Sequence, residues 1–206
     1  MTDAISHRGP DGEGHWIDGS IGLGHRRLSI IDLSPLGHQP MMSQDGRYVL
    51  SYNGEIYNFR ELRAELETKG YGFRSTSDSE VLLTALQAWG PKALDRLNGM
   101  FAFALWDRRE KTLMLARDRY GIKPLYVGRD GARFGFASEQ KAIMTLPGFP
   151  KQLNAEALYE YFTFQNLFTD QTLVKNIMLV PAGHYCIIDT EVGAADPGFV
   201  QYWDYN

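Results

Sequence analysis

Val49-Leu50-Ser51-Tyr52-Asn53-Gly54-Glu55-Ile56-Tyr57-Asn58 is the stretch on which the reading of this chain turns. Its apolar start reads as a buried strand that ends in a tight Asn-Gly turn and runs into a helix. An Asn side-chain amide beside a Gly backbone N–H, both on a rigid strand end, is a natural pair of donors for one developing oxyanion. Glycine also lets the backbone approach closely. The same dipeptide is an ordinary turn signal. Its neighbours elsewhere in the chain raise it above that.

Outward from this stretch, residues 21–31 and 47–53 read as strands. Residues 58–69 carry Phe59, Leu62 and Leu66 at helical spacing, with Gly70 as the stop. A second helix over about 78–89 starts with Ser77 and Glu80 in capping-box spacing, and its apolar face is Val81, Leu82, Ala85, Leu86 and Trp89. Residues 100–106, 112–116, 124–127 and 133–137 are short strands separated by turn clusters, an antiparallel meander. A helix at 154–165 follows, then strands at 184–189 and 199–203 with a surface loop at 191–198. Two helices between groups of strands, without strict βαβ alternation, predict an α+β layered fold.

The chain has 206 residues, 44% of them hydrophobic, enough to bury a full core. A net charge of −4 with no run of Lys or Arg gives no surface for nucleic acid. No apolar run approaches bilayer length and residues 1–7 lack the regions of a signal peptide, so a soluble, cytoplasmic protein with no membrane partner is expected. The single cysteine, Cys186, excludes an internal disulfide and reads as a buried strand residue. The five histidines have no ligand spacing, and Asp11, Glu13 and His15 alternate with glycine in a pattern that reads as a turn, so no metal site is expected.

The polar residues suggest a substrate. Arg26 and Arg27 follow each other on an otherwise apolar strand, so one of them points inward, and a buried Arg needs an acid or a ligand carboxylate. Asp78 begins a helix, where it could serve as an N-cap. Glu55 follows the Asn-Gly pair directly. One Arg, one Asp and an oxyanion hole are what an α-amino acid with a side-chain carbonyl requires.

Six segments are similar, in order, to the glutaminase domain of glutamine-dependent asparagine synthetases: residues 7–11 (HRGPD), 25–32 (HRRLSIID), 53–58 (NGEIYN), 77–81 (SDSEV), 99–104 (GMFAFA) and 117–126 (RDRYGIKPLY). The resemblance covers residue 7 through Tyr202-Trp203-Asp204, so residues 1–206 read as one such domain. It implies a class II glutamine amidotransferase with an N-terminal-nucleophile (Ntn) hydrolase fold, a four-layer αββα sandwich with two antiparallel sheets. It also implies that Arg27 grips the glutamine α-carboxylate and Asp78 the α-ammonium. Asn53 and Gly54 are the oxyanion donors, Glu55 and the backbone around Ile30 line the pocket, and Arg8 supports it.

One departure matters. In this family the nucleophile is an N-terminal cysteine on a first strand, its free α-amine acting as base. Met1 lies only six residues before His7, so that strand and cysteine are absent here, and Met1 reads as an internal residue of a longer protein. Cys186 cannot replace the nucleophile, and an exposed Thr2 is a poor substitute. The resemblance further implies a C-terminal ATP-dependent synthetase domain as partner, holding ATP and Mg, with no cofactor in this domain. It allows a homodimer. The implied activity is glutamine hydrolysis feeding ammonia to the amidation of aspartate. Two alternatives are a nucleophile-less glutamine-binding scaffold and an amidotransferase serving another acceptor, as in surface-polysaccharide synthesis.

Overall fold

A computed structural model of the protein describes residues 1–28, 34–131, 133–190 and 198–205. A 3-10 segment (Thr2–Arg8) leads into strands β1 (Gly12–Asp18) and β2 (Ile21–Arg27). Then come β3 (Met41–Met42), β4 (Tyr48–Ile56), helices α1 (Phe59–Thr68) and α2 (Asp78–Trp89), and strands β5 (Gly99–Asp107) and β6 (Thr112–Arg117). β7 (Tyr126–Asp130), β8 (Arg133–Ala137), α3 (Gln140–Ile143), α4 (Ala155–Phe164), β9 (Ile177–Leu179), β10 (His184–Asp189) and β11 (Val200–Gln201) complete the order.

The centre is a six-stranded antiparallel sheet in the order β11-β10-β6-β5-β4-β3. Strand alternation assigns its two faces. Phe101, Phe103 and Leu105 of β5 join Leu50, Tyr52 and Ile56 of β4 in a core with Leu62 and Leu66 of α1 and Val81, Leu82 and Leu86 of α2. Ala102, Ala104 and Trp106 face the other way, toward Leu23 of β2 and Val127 of β7. Ile143, the last residue of α3, and Phe149 pack under Ile177 of β9 on the far side. The layers therefore run helix, sheet, sheet, helix, the expected αββα arrangement.

Several details differ from expectation. The second sheet layer comes in two pieces among the described residues, β1-β2 and β8-β7-β9. The Asn-Gly dipeptide is not a turn: Asn53 lies opposite Ala102 and Gly54 opposite Phe101, inside a strand that continues to Ile56. A Cβ on Gly54 would stand 2.2 Å from the Met100 carbonyl oxygen, so this glycine serves close strand approach. Glu13 and His15 are not in a turn either, since Gly12–Asp18 pairs with β2 in full register; only Asp11 keeps the turn expected there. The strand expected at 124–127 begins at Tyr126, beyond Pro124, which has no N–H to offer a ladder. β3 and β9 are additional short strands, and the strand expected at 199–203 is only Val200–Gln201. β2 ends at Arg27, and residues 29–31 of the strand expected there lie outside the described residues, as do 191–197 of the expected loop.

The helix ends follow the sequence. Ser77 is the N-cap of α2, its Oγ accepting from the Glu80 N–H at 3.3 Å. The Glu80 carboxylate turns instead to the N–H groups of Arg74 and Ser75. Gly70 follows α1 with φ +89°, the left-handed stop that glycine permits. α4 is different: it buries only Ala157, while Tyr159, Phe162 and Phe164 are exposed. Among the described residues no helix is long and apolar enough to cross a membrane.

Candidate active site

A cleft of about 210 Å³ opens where the ends of β2 and β4 meet the start of α2, and Arg27, Asn53, Gly54, Glu55 and Asp78 all line it. The structure thus brings together the site residues expected from sequence, except Ile30, which lies outside the described residues.

The directions of the donors at Asn53 and Gly54 follow from the backbone. The Tyr52 N–H donates to Gln39 Oε1 at 2.6 Å and the Ile56 N–H to Asp78 Oδ2 at 3.0 Å, both away from β5. Strand alternation turns the Gly54 N–H to the same side. Phe101, opposite Gly54, uses its N–H and carbonyl on Asp118, so it offers Gly54 no partner. The Gly54 N–H therefore points out of the sheet with no acceptor among the described residues. Asn53 Nδ2 is buried and also lacks a partner. An unpaired buried donor is costly, and Asn53 Nδ2 beside the Gly54 N–H offers two neighbouring donors to one acceptor in the cleft.

Asp78 is not the helix N-cap but the first residue inside it, 5% exposed. Its Oδ2 accepts from the Tyr52 hydroxyl at 2.7 Å and from the Ile56 N–H. Both bonds end on one oxygen, which leaves Oδ1 for a cation in the cleft. Burial and the Asp78 charge push the Tyr52 phenol well up, so it remains a donor. Arg27 donates to the Ser34 carbonyl at 3.0 Å. Arg26 turns instead to Asp3, at 2.6 Å, and Glu13, at 2.7 Å.

His25 lies at the cleft wall, and burial, with His38 and Arg27 nearby, lowers its imidazole to about 4. The unfolded value is about 6.5. Folding stability from this group is therefore complete above pH 6.5 and lost as pH falls toward 4, on the order of 3 kcal/mol. Thermal melts of the wild type and His25→Gln from pH 7 to 4.5 check this. The expected result is a shallower acid decline in the variant, and parallel curves would contradict the assignment.

A second cavity of about 380 Å³ adjoins the first and shares Arg8, His25, Arg26, Tyr52 and Asn53 with it. It is a slot between Gly22–Arg26 of β2 and Phe134–Ala137 of β8, floored by Ser51, Ala102 and Ala104 of the central sheet. β2 pairs only with β1 and β8 only with β7 among the described residues, so two free strand edges face each other across it. No cysteine lines either cavity. Cys186 is fully buried on β10, and burial pushes its thiol up to about 12.

Residues 1–203 match the family described as the glutamine amidotransferase domain. The chain belongs to that family. It is 43% identical over 183 residues to asparagine synthetase [glutamine-hydrolyzing] 1 of Bacillus subtilis, covering 89% of this chain and 29% of that protein. It is 42% identical over 164 residues to asparagine synthetase [glutamine-hydrolyzing] 3 of the same organism, covering 79% of this chain and 26% of that one. The chain thus spans under a third of the length of these relatives. Among solved structures, glutamine phosphoribosylpyrophosphate amidotransferase from B. subtilis superposes with a TM-score of 0.57 at 24% identity, over 85% of this chain and 34% of the other, which supports the fold.

The cleft is also lined by residues that sequence reasoning did not single out. Gln39 is buried, fixes the Tyr52 N–H and lines the cleft. Lys123 and Met100 line its far wall. Lys123 is held by a knot: its N–H donates to Asp118 Oδ2 at 2.9 Å and its carbonyl accepts from Arg117 Nε at 2.8 Å. Asp118 is fully buried and takes backbone N–H groups of Phe101, Tyr120 and Ile122 as well. Adjacent Arg and Asp between a strand and a Gly-containing turn were the available signal.

Proposed function

We propose that the cleft binds L-glutamine and hydrolyses its side-chain amide, as the glutaminase domain of an asparagine synthetase. The observation that carries this is the pair of unpaired donors, Asn53 Nδ2 and the Gly54 N–H, set between a guanidinium at Arg27 and a carboxylate at Asp78. On this reading Arg27 takes the α-carboxylate, and Asp78 with Glu55 takes the α-ammonium. The amide carbonyl then lies at the donor pair. A thiolate adding to that carbon converts the carbonyl oxygen to an oxyanion, which the two donors stabilise more than the neutral carbonyl. The C–N bond breaks as the nitrogen gains a proton, ammonia leaves, and water hydrolyses the thioester to glutamate.

The thiol belongs to an extended segment seated in the slot, because the slot meets the cleft at Asn53. ATP, magnesium and the acceptor aspartate belong to further polypeptide, and the exposed aromatic face of α4 is in keeping with a neighbour packing there. A glutamine-binding scaffold without turnover is the second reading, favoured by the lack of a cysteine lining either cavity.

Calorimetric titration of L-glutamine into the chain tests the binding half. Arg27→Ala and Asp78→Asn are each expected to weaken affinity by roughly 30-fold or more, the loss of about 2 kcal/mol from a charge-assisted contact. Asn53→Ala should leave affinity nearly intact, since the oxyanion forms only in the transition state. No heat with millimolar glutamine, or equal losses in all three variants, would overturn the reading.

A further inference from the structure

Two guanidinium groups stand where the cleft and the slot meet, Arg8 and Arg26. They are held differently. Arg26 is held from its own side of the slot, by Asp3 and by Glu13, its cross-strand neighbour on β1. Arg8 is held from the opposite side. Its Nη1 donates at 3.3 Å to Oε1 of Glu139, which precedes α3 just beyond the end of β8. The same Oε1 lies 2.8 Å from His7 Nε2, and Oε2 lies 3.0 Å from Lys141 Nζ. Glu139 is 24% exposed at its side chain, so these contacts are partly shielded.

The neighbouring residue fixes the other end of the connection. A Cβ on Gly9 would stand 2.3 Å from the Arg26 carbonyl carbon, so the turn after Arg8 is wedged against the end of β2. The His7–Gly9 turn therefore touches β2 through Gly9 and the β8–α3 corner through Glu139. It spans the mouth of the slot at the point where the slot joins the cleft. The two pieces of the second sheet layer share no backbone ladder among the described residues, and here the Arg8–Glu139 ion pair links segments that flank them.

We propose that Glu139 is a positioning residue that holds Arg8 at this junction and so sets the glutamine affinity of the cleft. The proposal rests on the glutamine reading above. Without the carboxylate, Arg8 has a long flexible stem and no anchor on the β8 side, and its charge leaves the junction for solvent.

The test is a double-mutant cycle on the full chain, read by calorimetric titration of L-glutamine. Arg8→Met and Glu139→Gln are each expected to weaken binding about tenfold, and the double variant no more than Arg8→Met alone, as for residues acting as one unit. Lys141→Met removes the partner of the second Glu139 oxygen, leaving His7 and Arg8 on the first; Lys141 lines neither cavity, and this variant should bind within about twofold of the wild type. An Arg8→Met variant with unchanged affinity overturns the proposal. So do a Glu139→Gln variant with wild-type affinity and single losses that multiply in the double. Amide hydrogen exchange at residues 7–9 reads the tether without ligand. Faster exchange is expected in Glu139→Gln but not in Lys141→Met, and unchanged exchange in Glu139→Gln overturns the tether. If the wild type binds no glutamine, the functional reading fails on that result, while the exchange data still decide the tether.

Discussion

The chain incubated alone with glutamine is expected to release glutamate no faster than buffer. The same chain given an extended peptide of about eight residues that opens with cysteine should turn over at least about 10³-fold faster. The reason lies in which nucleophiles reach the donor pair. Cys186 is buried on β10, three strands from β4 and on the far side of β5 and β6, with its thiol held protonated by burial. Ser77 lines the cleft, but its Oγ already caps α2. A strand added between β2 and β8 would instead end beside Asn53, and a free α-amine on its first residue would supply the base. Glutamate production measured with and without the peptide decides the matter, with a serine-led peptide as control. Equal rates with the cysteine and serine peptides would remove the slot from the mechanism. A rate in the chain alone that vanishes in Thr2→Ala would give the role to a hydroxyl. Thr2 does line the slot, with its Oγ1 2.8 Å from His15 Nε2.

The sequence made the helix layer legible and the second sheet layer much less so. α1 and α2 carry apolar residues at helical spacing, a Ser cap and a Gly stop, all local signals. β5 alternates Phe101, Phe103 and Leu105 with Ala102, Ala104 and Trp106, and its unbroken apolar run is that of a strand buried on both faces. β1 could not. Its glycines suggest a turn, yet a Cβ on Gly14 would stand 2.1 Å from the Gln39 carbonyl oxygen. That glycine answers to a neighbour 25 positions later, which no local window contains. The Asn-Gly misreading has the same cause. Gly54 is required by the Met100 carbonyl across the ladder, and turn chemistry imitates that requirement.

Which residues line the candidate cleft was legible where residue type suggests a chemistry. A carboxylate and a guanidinium matched to an α-amino acid, and an amide beside a glycine, could be named before their distances were known. Their environment could not. That Asp78 sits one residue inside α2 and spends one oxygen on Tyr52 and Ile56 follows from how α2 meets β4. Lys123 enters the cleft only because Arg117 and Asp118 tie its backbone from both sides. The coupling of Arg8 to Glu139 joins positions more than a hundred residues apart.

Filling the slot should also stabilise the protein, and this is the largest structural effect expected of it. The edges of β2 and β8 each present backbone N–H and C=O groups without a ladder partner among the described residues. Beneath them Ala102 and Ala104 form a floor of small side chains, with Phe134 and Phe136 at the wall. A strand placed there would pair on both edges and bury apolar atoms against that floor, the arrangement of an interior strand rather than an edge. Even a few kcal/mol from these contacts raises Tm by several degrees in a domain of this size. An unfilled slot with two free edges should also promote pairing between copies. Thermal melts and light scattering, with and without the serine-led peptide, separate this from catalysis because that peptide has no thiol. The expected outcome is a higher Tm together with less self-association. If the Tm stays constant over saturating peptide concentrations and the chain is already a monodisperse monomer, the slot takes no strand. Gly22 on β2, where a Cβ would meet nothing within 4 Å, offers a further check. Gly22→Val is open in space on the strand and should cost little stability alone, yet reduce the peptide's gain in Tm by crowding the edge where the added strand pairs.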